Sequence, residues 1–144
     1  MIRVTRVLYP TDFSSYSNQA YFHAVSLAEA HGASLTVLHV CPPGAGTAAR
    51  MGHQLEQVRP ANPGIAVSHV LLEGDPATAI VRYAADAGID VIVIGTHGRT
   101  AAERPLMGSV AEHVMREAGC SVLVVKLPKG VPAAERPATA VARH

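Results

Sequence analysis

Gly95-Thr96-His97-Gly98-Arg99 followed by Gly108-Ser109-Val110 spells Gly-x2-Gly-x9-Gly-Ser. The chemistry on offer is anion binding. Glycine lets a backbone approach an anion closely, and the free N–H groups of a helix start, with the dipole behind them, favour negative charge. Ser109 adds a hydroxyl at the same point. Arg99 could grip a phosphate by a charge-assisted fork or be an ordinary exposed arginine, and His97 reads as a solvated loop histidine. The apolar run Ile89–Ile94 precedes the glycines and a helix-like run starts at Val110, so the pattern is strand, loop, helix. The loop Thr96–Met107 far exceeds the roughly 2–6 residues usual in such units, as a binding loop would.

A second candidate is Asp12, which follows Pro10-Thr11 at another strand end. Its carboxylate could accept from an amino or hydroxyl group of a ligand, or it could close an Asx turn into the next helix. Other patterns carry less. Gly44-Ala45-Gly46-Thr47-Ala48-Ala49 imitates a dinucleotide fingerprint, but it follows a Pro-Pro break, opens a poor helix and lacks the distant acidic residue. No Walker A lysine follows any glycine. Of the eight histidines, His39 and His69 could face each other across neighbouring strands. No His-x-x-Glu-His or Cys/His spacing marks a metal site, so structural or surface roles are expected for them. Ser109 lies near His97 and His113 in sequence, but that proximity alone does not make a dyad, and no catalytic residue is nominated.

These positions need a scaffold, and the chain supplies one. Strand patterns cover Arg3–Tyr9, Ser34–Val40, Ile65–Leu72, Ile89–Ile94 and Ser121–Leu127. Helix patterns cover about Ser15–His31, Ala48–Arg59, Pro76–Ala87 and Val110–Ala118. Ser14 or Ser15 can cap the first helix and Gly32 can end it, while Asp75 with Pro76 opens the third. Alternating strands and helices imply a parallel sheet with right-handed crossovers, an α/β fold. Ile89–Ile94 lacks polar alternation and is expected to lie centrally, covered on both faces. Hydrophobic residues make up 49% and aromatics 4%, so the core must be aliphatic.

The glycine spacing resembles the nucleotide loop of the universal stress protein family, in its ATP-binding branch. Val7-Leu8-Tyr9-Pro10-Thr11-Asp12-Phe13-Ser14 looks like that family's first strand and Asp-bearing turn. Gly74-Asp75-Pro76 followed by Ile80 is similar to its third-helix entry, and Cys120–Val125 to its last strand. The resemblance implies a single doubly wound five-stranded sheet of order 3-2-1-4-5, of the adenine nucleotide α-hydrolase-like kind. The switch point then lies between the first and fourth strands, where such sheets bind ligands. Carried over by position, Pro10, Thr11 and Asp12 stand at the first strand end, and Val40 offers its backbone to adenine. Ile94, Gly95, Thr96, Gly98 and Arg99 would line ribose and phosphates, and Gly108, Ser109 and Val110 would close the cradle. The resemblance departs at Cys41–Ile65, which is short and rich in Gly and Pro where many relatives carry a longer helix.

The expected protein is a cytoplasmic ATP-binding sensor or regulatory module, with Mg²⁺ held by the phosphates. A slow ATP hydrolase or a phosphoryl- or adenylyl-transferase using the same crevice is the alternative; a dimeric partner-binding module without nucleotide is the second. The net charge of +1 with mixed signs argues against a nucleic-acid face, no apolar run reaches membrane-spanning length, and Arg3 and Arg6 interrupt any signal-peptide pattern. Cys41 and Cys120 read as small apolar side chains in a reducing compartment. The nucleotide domain is expected over residues 1–127, with a Pro/Ala-rich disordered tail over 128–144. Val122, Leu123, Val124 and Val125 form an apolar run on the implied sheet edge, which predicts a homodimer through the last strand.

Overall fold

In a computed structural model, which describes residues 3–44, 46, 48–96 and 108–126, side-chain alternation sorts the core into two layers about one sheet. The strands are β1 (Arg6–Pro10), β2 (Ser34–Cys41), β3 (Val67–Glu73), β4 (Val91–Gly95) and β5 (Ser121–Val125). They pair in parallel in the order β3-β2-β1-β4-β5. The helices between them are α1 (Ser15–His31), α2 (Ala48–Glu56), α3 (Pro76–Asp86) and α4 (Ser109–Glu117). This is the doubly wound α/β sheet expected, with its switch between β1 and β4.

One face of the sheet carries Val7, Tyr9, Leu35, Val37 and Val93, packed with Ala20, Ala24 and Ala28 of α1 and Leu55 of α2. Small alanines let α1 sit close to the strands. The other face carries Leu8, Leu38, Val40, Ile92 and Ile94, packed with Ala77, Ile80 and Ala84 of α3 and Val114 of α4. β4 is half-buried only at Val91 and buried thereafter, as its unbroken apolar run requires.

The helix ends follow their caps. Ser14 accepts the Ser17 N–H at 3.3 Å to start α1, and Gly32 ends it at φ 63°. Asp75 accepts the Thr78 N–H at 3.0 Å to start α3, with Pro76 at the first helical position. The strand Arg3–Tyr9 is paired only from Arg6, because the Thr5 and Arg6 N–H groups donate to the Asp90 carboxylate at 2.8 and 2.9 Å. α2 stops at Glu56, where Gln57 and Val58 turn back onto Gln54 and Leu55. The expected tail 128–144 lies outside the described residues.

Candidate functional site

Three strand ends and the start of α4 enclose a cavity of about 130 Å³. It sits at the carboxyl ends of β1, β2 and β4. Pro10, Thr11 and Asp12 form its first wall, Val40 its second, and Ile94, Gly95 and Val110 its third. Seven of the sequence-nominated residues therefore meet in one place. The lining is mainly apolar, and its polar members are Thr11, Asp12, Ser17 and His39.

The turn after β1 is held on every side. Thr11 donates its N–H to the Leu38 carbonyl at 2.8 Å. Its hydroxyl accepts the Phe13 N–H at 3.0 Å and pairs with the Ser17 hydroxyl at 3.0 Å. The Asp12 carboxylate accepts the Ser14 N–H at 3.0 Å, so the Asx turn is made, and Asp12 still lines the cavity. Phe13 takes φ 65°, a left-handed conformation rare for a bulky residue. Its ring packs at 4.6 Å from the ring of His39.

The glycine loop is anchored at both ends. Thr96 gives its N–H and hydroxyl to the Val125 carbonyl, at 3.0 and 3.4 Å. Its own carbonyl accepts the Gly108 N–H at 2.6 Å, so the chain leaves and returns at one point. α4 begins there with Gly108 at φ −71°, and among the described residues no side chain caps it. The first α-helical bond closes at Glu112, which leaves the N–H groups of Ser109, Val110 and Ala111 without helical acceptors beside the cavity. Ser109 is exposed, and Thr96 and Gly108 are buried. None of the three lines the cavity itself. His97, Gly98 and Arg99 lie outside the described residues.

A model of the universal stress protein family matches residues 3–126. The chain belongs to the universal stress protein family. Universal stress protein MJ0531 of Methanocaldococcus jannaschii is 36% identical over 141 residues, spanning 86% of this chain and 83% of that one. The structure of universal stress protein UspA from Lactobacillus plantarum matches with a TM-score of 0.74 at 26% identity, over 85% of this chain and 98% of that one. Similar solved structures include two with a bound nucleotide. A universal stress protein in complex with cAMP matches at TM-score 0.67 and 23% identity, over 88% of this chain and 99% of that one. The family protein At3g01520 of Arabidopsis thaliana, with AMP bound, matches at TM-score 0.64 and 16% identity, over 87% and 93%. At those identities the likeness is one of fold.

Several lining residues of this universal stress protein were not among the site residues expected from the sequence. Leu38, Pro76, Ile80 and Ala111 reach the cavity because α3 and α4 pack on the sheet face that Val40 and Ile94 share. Period-two alternation from Val40 would have found Leu38. Ser17 and His39 come from the opposite face. His39 does not face His69: the register sets His39 against Leu71 and His69 against Val37. The His39 Nδ1 bonds the Thr11 carbonyl at 2.7 Å, and the His69 Nε2 bonds the Val58 carbonyl at 2.9 Å. Among the described residues, no group of three or more His, Cys, Asp or Glu could hold a metal. Burial pushes the Cys41 and Cys120 thiols up, away from nucleophilic thiolate.

Proposed function

We propose that this protein binds an adenine nucleotide, ATP in the cell, in the cavity at the ends of β1, β2 and β4. In this reading it is a nucleotide-dependent sensor or regulatory module of the stress response. The observation that carries the reading is the meeting, at the sheet's switch point, of an apolar slot with the start of α4, which no described side chain caps. About 130 Å³ suits one flat ring system rather than a whole nucleotide. The base would enter the slot, and ribose and phosphates would extend toward Gly95 and the α4 start. Asp12 would take a base amino group or a ribose hydroxyl, and Gly98, Arg99, Gly108 and Ser109 would attend the phosphates. Relatives solved with cAMP and AMP support an adenine ligand.

Mg²⁺ would ride on the phosphates, with no chemical step assigned to it. Among the described residues Asp12 is the one carboxylate in the lining, and in this reading it is committed to the base or ribose rather than to water. Turnover of ATP is expected below about 1 s⁻¹, the low end of ordinary enzymes. The protein would act in the cytoplasm as a homodimer joined through β5. Amide shift mapping with AMP, then ATP, tests the site. Shifts centred on Thr11, Asp12, Val40, Gly95 and Val110 are expected; a cluster elsewhere, or none at millimolar nucleotide, would overturn the assignment.

A further inference from the structure

The β1–β2 ladder makes its last registered pair at Pro10 and Leu38, yet β2 runs on to Cys41. Thr11 still donates its N–H to the Leu38 carbonyl. In a parallel ladder, a residue bonded to a partner strand through its N–H is bonded again through its C=O, two residues further along that strand. The expected partner of the Thr11 carbonyl is therefore the Val40 N–H. The atom that meets it instead, at 2.7 Å, is the His39 Nδ1. A carbonyl only accepts, so the proton is assigned to Nδ1.

We propose that His39 is a positioning residue of the nucleotide site. By taking the Thr11 carbonyl it stops the ladder one step early and leaves the Val40 N–H as a backbone donor for the ligand. Strand alternation supports the direction. Cys41 turns its carbonyl to β3, where the Gly74 N–H bonds it at 3.0 Å, so the Val40 peptide groups turn the other way, past the end of β1. Thr11, His39 and Val40 all line the cavity. The imidazole is held in place. It is buried, and the Phe13 ring lies against it, tilted by 42°. The left-handed Phe13 backbone thus has a use: it sets that ring where it fixes the histidine. The ligand class served is a planar heteroaromatic base with an acceptor on its edge, as a purine has. This role rests on the nucleotide reading above, but its structural half can be measured without nucleotide.

The test is the scalar coupling across an N–H···O=C bond, from Val40 ¹⁵N to Thr11 ¹³C′, in labelled apo protein. Wild type should show none. His39→Leu should show it, because the released carbonyl takes the Val40 N–H. His39→Asn, whose amide nitrogen can reach the place of Nδ1, should stay open. AMP affinity should fall by about tenfold or more in His39→Leu and stay within about threefold in His39→Asn. Should His39→Leu fail to fold, His39→Phe fills the space without a donor and carries the same expectation. A coupling in wild type, or none in a folded donorless variant, overturns the proposal. Equal AMP affinity in wild type and that variant also overturns it. An open Val40 in wild type, closed by His39→Leu, in a protein that never binds AMP supports the positioning role and overturns the nucleotide reading.

Discussion

Tyr9 shows how one side chain braces the site from below. It is fully buried, its ring meets Tyr21 edge-on at 5.5 Å, and its hydroxyl donates to the Ser17 carbonyl at 2.8 Å. Burial pushes the phenol up to about 12, so it remains a donor through the physiological range. Ser17 in turn bonds Thr11, and Thr11 bonds Leu38 and His39. A short chain of hydrogen bonds thus ties β1, α1 and β2 together under the cavity. Tyr9→Phe keeps the ring and removes the donor. It should cost about 1 kcal/mol of stability in urea denaturation, and an unchanged midpoint would show that the hydroxyl contributes nothing. At this scale the sequence was partly legible. Asp12 stood out because Pro-Thr-Asp followed a strand pattern. The place of His39 was not legible, although the residue was noticed beside His69, because its partner is a backbone carbonyl 28 positions away, which no side-chain spacing can reveal.

At the scale of elements, types were readable and edges were not. The starts of α1 and α3 carry side-chain caps, so Ser14 and Asp75 fall where they were expected. Strand starts depend on distant partners. Ile89 reads as strand, but its N–H returns to the Ala84 carbonyl at 3.0 Å to close α3, with Gly88 at φ 66°, and β4 begins only at Val91. Ile65 reads as strand too, but its N–H turns back to Asn62, and β3 begins at Val67. Asp90 is the joint between β1 and β4. It accepts from the Thr5 N–H, the Thr5 hydroxyl and the Arg6 N–H. Those bonds, the Thr5 N–H first, hold its carboxyl below the usual carboxylate range. A carboxyl lowered on folding stabilises the protein above its unfolded pKa of about 4, and that contribution is lost as pH falls through the folded value. Asp90→Asn should therefore be less stable than wild type at pH 7 and approach it at about pH 3. Denaturation curves at the two pH values decide this; a gap that widens in acid would contradict the assignment.

For the whole molecule, the strand order places β5 at a sheet edge. Leu123 is 38% exposed there, and Met115 of α4 is 49% exposed. An open apolar edge invites pairing, and two copies meeting about a two-fold axis would close it. Val124 is half-buried against α4's side of the core, so Leu123→Lys is the cleaner probe. Light scattering should show a wild-type dimer at tens of micromolar and a shift toward monomer in Leu123→Lys; a monomeric wild type would refute the dimer. The switch point between β1 and β4 brings two distant sequence signals to one crevice, the Pro-Thr-Asp turn and, from either side of the glycine loop, Gly95 and Val110. Calorimetric titration with ATP tests that union most directly, comparing wild type with Gly108→Val. The Gly108 backbone, at φ −71° and ψ 165°, is one that valine can adopt, and the valine side chain would stand at the start of α4 where phosphate would sit. Wild type should bind ATP, and Gly108→Val should bind it more weakly by well over about tenfold. Equal affinity in a folded Gly108→Val, or no binding by wild type, would contradict the account.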